Sequence, residues 1–150
     1  MGYSMGSLAT FTIANDPRLT TTVHISGGNF DPATISNLHA PAIFICGIPG
    51  NCGSNILDLT CDAAAANCDT DFANATTPVF YANFNAGHLG ILTMPTPGEQ
   101  IGELATKWLR WKLMDDRSLD SEFLGPQCGV CQETTWLSVQ QKNLWAANTN

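Results

Sequence analysis

Gly2-Tyr3-Ser4-Met5-Gly6 stands at the head of the chain, and a short apolar stretch at 6–14 follows it. Glycines flanking x-Ser-x allow a strand to turn sharply into a helix, where side chains at those positions would obstruct the turn. Such a turn lifts the serine hydroxyl to the helix N-terminus, clear of the sheet. It also aims the backbone N–H of Met5 at the place where an oxyanion would form. Ser4 is therefore a candidate nucleophile and Met5 a candidate oxyanion donor. The plain alternative is a glycine-rich turn without chemistry, so the reading depends on what the rest of the chain supplies.

Working outward, three segments read as buried strands: 21–26 (Thr-Thr-Val-His-Ile-Ser), 42–46 (Ala-Ile-Phe-Ile-Cys) and 79–84 (Val-Phe-Tyr-Ala-Asn-Phe). Each is short, rich in β-branched or aromatic residues, and bounded by Gly, Pro or Asn. The second and third are almost continuously apolar, as expected of strands covered on both faces. Helical material alternates with them. Residues 6–14 form a small apolar helix, 58–74 contain the alanine run at 63–66, and 98–114 form the clearest helix. In that last segment Ile101, Leu104, Ala105, Trp108 and Leu109 recur at helical spacing. Glu99 in its first turn and Arg110 and Lys112 near its end suit the helix dipole. The alternation predicts an α/β fold: a parallel sheet with flanking helices and right-handed crossovers. The tail at 118–150 is less regular and is expected to pack over the body through Trp136 and its CxxC loop.

A base for Ser4 is supplied by Asn85-Ala86-Gly87-His88-Leu89-Gly90, directly after the third strand. A Gly-His-x-Gly loop at the C-terminal edge of a strand can bring an imidazole to the serine, and the order Ser, acid, His is the one this arrangement uses. His24 lies within a strand and His39 in the approach to the next, where structural roles are simpler. The acid should follow the second strand and hold the imidazole Nδ1–H. No Asp or Glu occurs between Gly47 and Leu57. Asp58 is the first candidate and Asp62 the second. Asn51 stands where a short loop would have placed an acid and could mark a degraded site. Each Asp could equally be a helix cap or a surface charge.

Bulk composition narrows the function classes. The chain has 150 residues, 44% of them hydrophobic and only 13% charged, with a formal net charge of −7. That acidity argues against nucleic acid, which needs clustered Lys and Arg, and against an anionic membrane surface. No apolar run reaches membrane-spanning length. The six cysteines fall as three close pairs, Cys46 with Cys52, Cys61 with Cys68, and Cys128 with Cys131. An even count in short local loops suggests disulfides and an oxidising, extracellular compartment. Cys128-Gly-Val-Cys131 has zinc-ligand spacing, but no matching second pair accompanies it. Asn74-Ala75-Thr76 is a glycosylation sequon, in keeping with secretion.

With the turn, the strand order and the histidine loop together, the chain resembles the α/β-hydrolase superfamily. Within it, the chain is similar to secreted dienelactone-hydrolase-like and cutinase-like esterases, including polyester-hydrolase relatives. The similarity covers essentially the whole chain. Tyr3-Ser4-Met5-Gly6 matches the family's elbow, although Ser7 replaces its usual further Gly. Asp16-Pro17-Arg18-Leu19, Pro78-Val79-Phe80-Tyr81-Ala82-Asn83 leading to Gly87-His88, Ala105-Thr106-Lys107-Trp108-Leu109-Arg110-Trp111, and Gly125-Pro126-Gln127-Cys128-Gly129-Val130-Cys131 with Trp136 look like further family segments. The family's acid-bearing segment is matched by Asp58-Leu59-Thr60-Cys61 and then Asn67-Cys68-Asp69-Thr70-Asp71-Phe72, with a disulfide between Cys61 and Cys68 able to close the insertion. The resemblance thus favours Asp58, although the loop at 48–57 is longer than the family pattern.

The resemblance implies a serine hydrolase of carboxylic esters, small or polymeric, working through Ser4, His88 and Asp58 with Met5 N–H as an oxyanion donor. It implies no cofactor and no metal. The family fold normally has several strands before the elbow, and Met1 leaves no room for the strand that should lead into Gly2. Residues 1–150 are accordingly expected to form the C-terminal part of a single domain, lacking the N-terminal strands, the second oxyanion N–H and much of the pocket. On that reading the isolated chain is weakly active or inactive, and its open sheet edge favours either the missing half or self-association. The alternative is a non-catalytic member in which the fold serves binding.

Overall fold

The computed structural model describes residues 1–28, 31–47, 65–84, 87–88 and 95–144. A five-stranded sheet runs in the order β1-β2-β3-β4-β5. Its strands are β1 (Gly2–Tyr3), β2 (Thr22–Ile25), β3 (Ala42–Cys46), β4 (Val79–Phe84) and β5 (Trp136–Lys142). The first four are mutually parallel and β5 pairs antiparallel with β4. The helices are α1 (Met5–Ile13), α2 (Pro32–Ser36), α3 (Ala65–Asn74), α4 (Pro95–Leu113), α5 (Asp120–Phe123) and α6 (Gly129–Gln132). The chain therefore has a mostly parallel α/β architecture with flanking helices.

The apolar runs that predict β3 and β4 are explained by burial on both faces. Successive strand residues point to opposite sides. Val23, Ile25, Ile43, Ile45, Phe80 and Ala82 enter one core with Ile101, Leu104, Ala105, Trp108 and Trp111 of α4. Their neighbours Ala42, Phe44, Cys46, Val79 and Tyr81 enter the other, with Phe11 of α1 and Ile35 of α2. On the α4 side the Trp111 ring stacks on Phe123 at 4.9 Å. Its Nε1–H donates to Asp120 Oδ1 at 2.7 Å, and Trp108 Nε1–H donates to Thr21 Oγ1 at 2.8 Å. Each buried indole thus keeps its one polar atom satisfied.

Several expectations are corrected. The sheet is not wholly parallel, because the tail supplies β5 as an antiparallel edge strand, a common way to finish a parallel sheet. Residues Gly2–Tyr3 themselves form the strand leading into the turn, hydrogen-bonded beside His24 and Ile25 of β2. Helix α4 begins at Pro95, so Glu99 lies past its first turn. The prolines at its start cost nothing there, since first-turn N–H groups have no partner inside the helix. Cysteine pairing is not purely local. Cys46, at the end of β3, is bonded to Cys68 of α3, replacing the expected partners Cys52 and Cys61, both of which lie outside the described residues. Cys128 and Cys131 are bonded to each other, which removes them as zinc ligands. Among the described residues no helix is long and apolar enough to cross a membrane.

Candidate active site

Ser4 occupies a conformation that few residues adopt, with φ 53° and ψ −119°. A non-glycine residue there carries about 1–3 kcal/mol of backbone strain and persists only where its surroundings enforce it. Two contacts do so. Ser4 N–H donates to the carbonyl of Ile25 on β2 at 2.9 Å. Behind it, Gly2 lies so close to the first turn of α1 that a Cβ there would overlap the Gly6 carbonyl. Gly2 is thus needed for the reason its spacing suggests. Gly6 is not: a Cβ there meets nothing within 4 Å, so the expectation that both glycines are sterically required holds for one of them.

His88 lies four positions past the end of β4, and its Nε2 is 2.9 Å from Ser4 Oγ. Three strand spacings, about 14 Å, separate β1 from β4, so the histidine is carried back across the C-terminal ends of β2 and β3. Tyr3, the residue before the serine, meets it there. Its hydroxyl donates to the His88 carbonyl at 2.6 Å, and its ring stacks on the imidazole at 5.4 Å between centroids. Ser4 and His88 are both only partly buried. Met5, the first residue of α1, is 76% exposed, and its N–H has no carbonyl to reach within the helix.

The other two histidines are placed elsewhere. His39 is exposed, and its backbone N–H donates to Ala14. His24 is 1% exposed under α1, its ring stacked on Phe11 at 3.6 Å. Burial pushes its imidazole down to about 3, so it stays neutral. Asp58, Asp62 and Asn51, the candidates for the acid, lie outside the described residues. Tyr3 is the site residue that sequence reasoning missed. A cleft of about 640 Å³ beside β5 is lined by Cys131, Trp136, Leu137, Val139 and Leu144 among others, but neither Ser4 nor His88 borders it. Compared with known proteins, the chain matches no family model and no curated protein.

Proposed function

We propose that the chain is a serine hydrolase of the α/β-hydrolase kind, acting on carboxylic esters. The observation that carries this reading is the 2.9 Å approach of His88 Nε2 to the hydroxyl of a serine held at φ 53° on a strand-to-helix turn. A serine hydroxyl is a weak nucleophile until an adjacent base takes its proton. In the proposed reaction, Ser4 Oγ attacks the ester carbonyl while its proton passes to His88 Nε2. The carbonyl oxygen becomes an oxyanion that Met5 N–H helps to hold. Collapse of the intermediate breaks the bond to the alcohol oxygen, which takes the proton from His88 and leaves an acyl group on Ser4. Water, deprotonated by the same imidazole, then attacks the acyl carbon, the bond to Ser4 Oγ breaks as Ser4 takes the proton back from His88, and the acid leaves. Asp58 is the carboxylate proposed to orient His88 and stabilise its imidazolium. The two disulfides among the described residues support a location in an oxidising, extracellular compartment.

A fluorophosphonate probe tests the reading. Ser4 should be phosphonylated, and both Ser4→Ala and His88→Ala should abolish the adduct. Equal labelling of Ser4→Ala would remove the assignment. Absence of labelling in the wild-type chain would favour a binding protein built on the same fold. For the acid, Asp58→Asn should change the NMR titration of His88.

A further inference from the structure

We propose that Ser7 is a positioning residue for Ser4, and that the buried imidazole of His24 holds Ser7 in that task. The inference rests on reading Ser4 as the nucleophile. Ser7 directly follows the second glycine of the opening motif. It is 0% exposed, on the first turns of α1. Its hydroxyl donates to the Gly27 carbonyl at 2.9 Å, and the same oxygen lies 3.4 Å from His24 Nδ1. On the other side of the ring, Nε2 lies 2.9 Å from Thr22 Oγ1.

The Ser7–Gly27 bond selects the arrangement of protons that we assign to these contacts. The single Ser7 proton goes to Gly27, so Ser7 Oγ can only accept from Nδ1–H. Nε2 is then the bare nitrogen and accepts from the Thr22 hydroxyl. The neutral Nδ1–H tautomer completes a directed chain from Thr22 through His24 and Ser7 to the Gly27 carbonyl. Removing the Ser7 hydroxyl would leave a buried N–H and a carbonyl without that partner.

The chain ends where it can act on Ser4. A Cβ on Gly27 would lie 2.7 Å from the Ser4 carbonyl oxygen and 2.5 Å from Ser7 Cβ, so the bare backbone of Gly27 is seated against the nucleophile's own carbonyl. Ser4 is thus fixed on its amide side by Ile25 and on its carbonyl side by Gly27, which Ser7 ties to α1. Register places His24 directly alongside Gly2. The ring therefore fills the floor beneath the turn, beside the residue whose missing side chain lets α1 come close. A strained serine needs this redundancy to keep its hydroxyl aimed, and small displacements of a reacting group are costly to rate.

Ser7→Ala and, separately, His24→Gln are compared with the wild-type chain. The first readout is fluorophosphonate labelling resolved into a limiting rate and a half-saturating concentration. The second is the amide 1H–15N shifts of Ser4 and Met5. The expected result is a limiting rate lower by about tenfold, a half-saturating concentration within about twofold, and shifted Ser4 and Met5 amides. A residue that only stabilises the fold would lower the melting temperature and leave the rate of folded protein alone. Folded Ser7→Ala with wild-type rate and wild-type amide shifts overturns the proposal. So does an Nε2–H tautomer for His24 in the wild-type chain, a measurement that needs no variant to fold. If the wild-type chain is not labelled but the Ser4 and Met5 amides move in the variants, the brace stands and the hydrolase reading falls. If neither occurs, both fall.

Discussion

The Tyr3 hydroxyl donates to the His88 carbonyl at 2.6 Å, so the residue preceding the candidate nucleophile also holds the backbone that carries the candidate base. Registration of the two functional groups is therefore internal to the site. Tyr3→Phe keeps the ring stacking and removes the hydrogen bond alone, a loss of about 1 kcal/mol. Its effect should be seen in the approach of His88 to Ser4. Labelling of Ser4 by the fluorophosphonate should slow about fivefold or more, with the melting temperature lowered by about 2–4 °C. An unchanged rate in Tyr3→Phe would show that the hydroxyl does not register the imidazole.

The two glycines of the opening motif should respond oppositely to the same substitution. Gly2→Ala forces a Cβ onto the Gly6 carbonyl, and either the turn or the β1–β2 pairing must give way. Loss of Ser4 labelling and a drop in stability of several kcal/mol, as for severe overpacking, are expected. Gly6→Ala puts a methyl into open space within α1 and should stabilise the helix by about 0.5–1 kcal/mol. Chemical denaturation of the two variants checks this. A destabilised Gly6→Ala would show that the motif needs its second glycine after all.

Strands β3 and β4 were legible because burial on both faces writes itself as an unbroken apolar run. Strand β5 was not, because only one of its ends is covered. Trp136 is buried while Gln140 is exposed and Ser138, Gln141 and Lys142 are partly so, and so mixed a run carries little β signal. Helix α2 was missed although Asp31 before Pro32 marks its start, with the Asp31 carboxylate accepting from Ala33 N–H. Ser4 and His88 could be paired from motif and order, but the role of Tyr3 could not. Its partner is a backbone carbonyl 85 residues away, which no residue type announces. The bond from Cys46 to Cys68 depends on α3 lying against the end of β3, a tertiary fact that spacing does not encode.

That bond makes a separate prediction. It closes 22 residues of chain, whereas Cys128–Cys131 closes 3. In the chain-entropy account, the first contributes about 3 kcal/mol and the second roughly 1.5 kcal/mol. Replacing Cys46 and Cys68 together by Ala should therefore cost more than replacing Cys128 and Cys131, and the core position of Cys46 at 0% exposure adds a packing loss. Equilibrium unfolding of the two double variants ranks them. Peptide mapping without reduction checks the bond directly, and a peptide joining Cys46 to Cys52 would contradict it.

The buried imidazole of His24 should give the fold a pH dependence with a predictable sign. Burial lowers its pKa from 6.5 to about 3, a hydrogen bond to the Ser7 backbone opposes that, and the N-terminal ammonium adds to it. Around the ring stand Phe11, Phe44, Ser7 and Thr22, none of them charged. The folded pKa thus lies below the unfolded one. Above about pH 6.5 both states hold a neutral ring and the full stability is present. As the pH falls, the unfolded chain takes up a proton that the folded ring refuses, and stability declines by about 1.4 kcal/mol per pH unit until about pH 3. Asp16, held down by the Arg18 guanidinium, Asp31, held down by Thr34, and Asp116, held down chiefly by Ser118, are lowered from 3.8. Their losses begin only toward pH 4 and below, beneath the range from pH 7 to 4.5. Between pH 7 and 4.5, urea unfolding should therefore show the wild-type chain losing about 2–3 kcal/mol more than His24→Gln. Equal losses in the two would mean that the ring is protonated without penalty, and that its place beneath the serine turn is wetter and looser than a closed apolar seat allows.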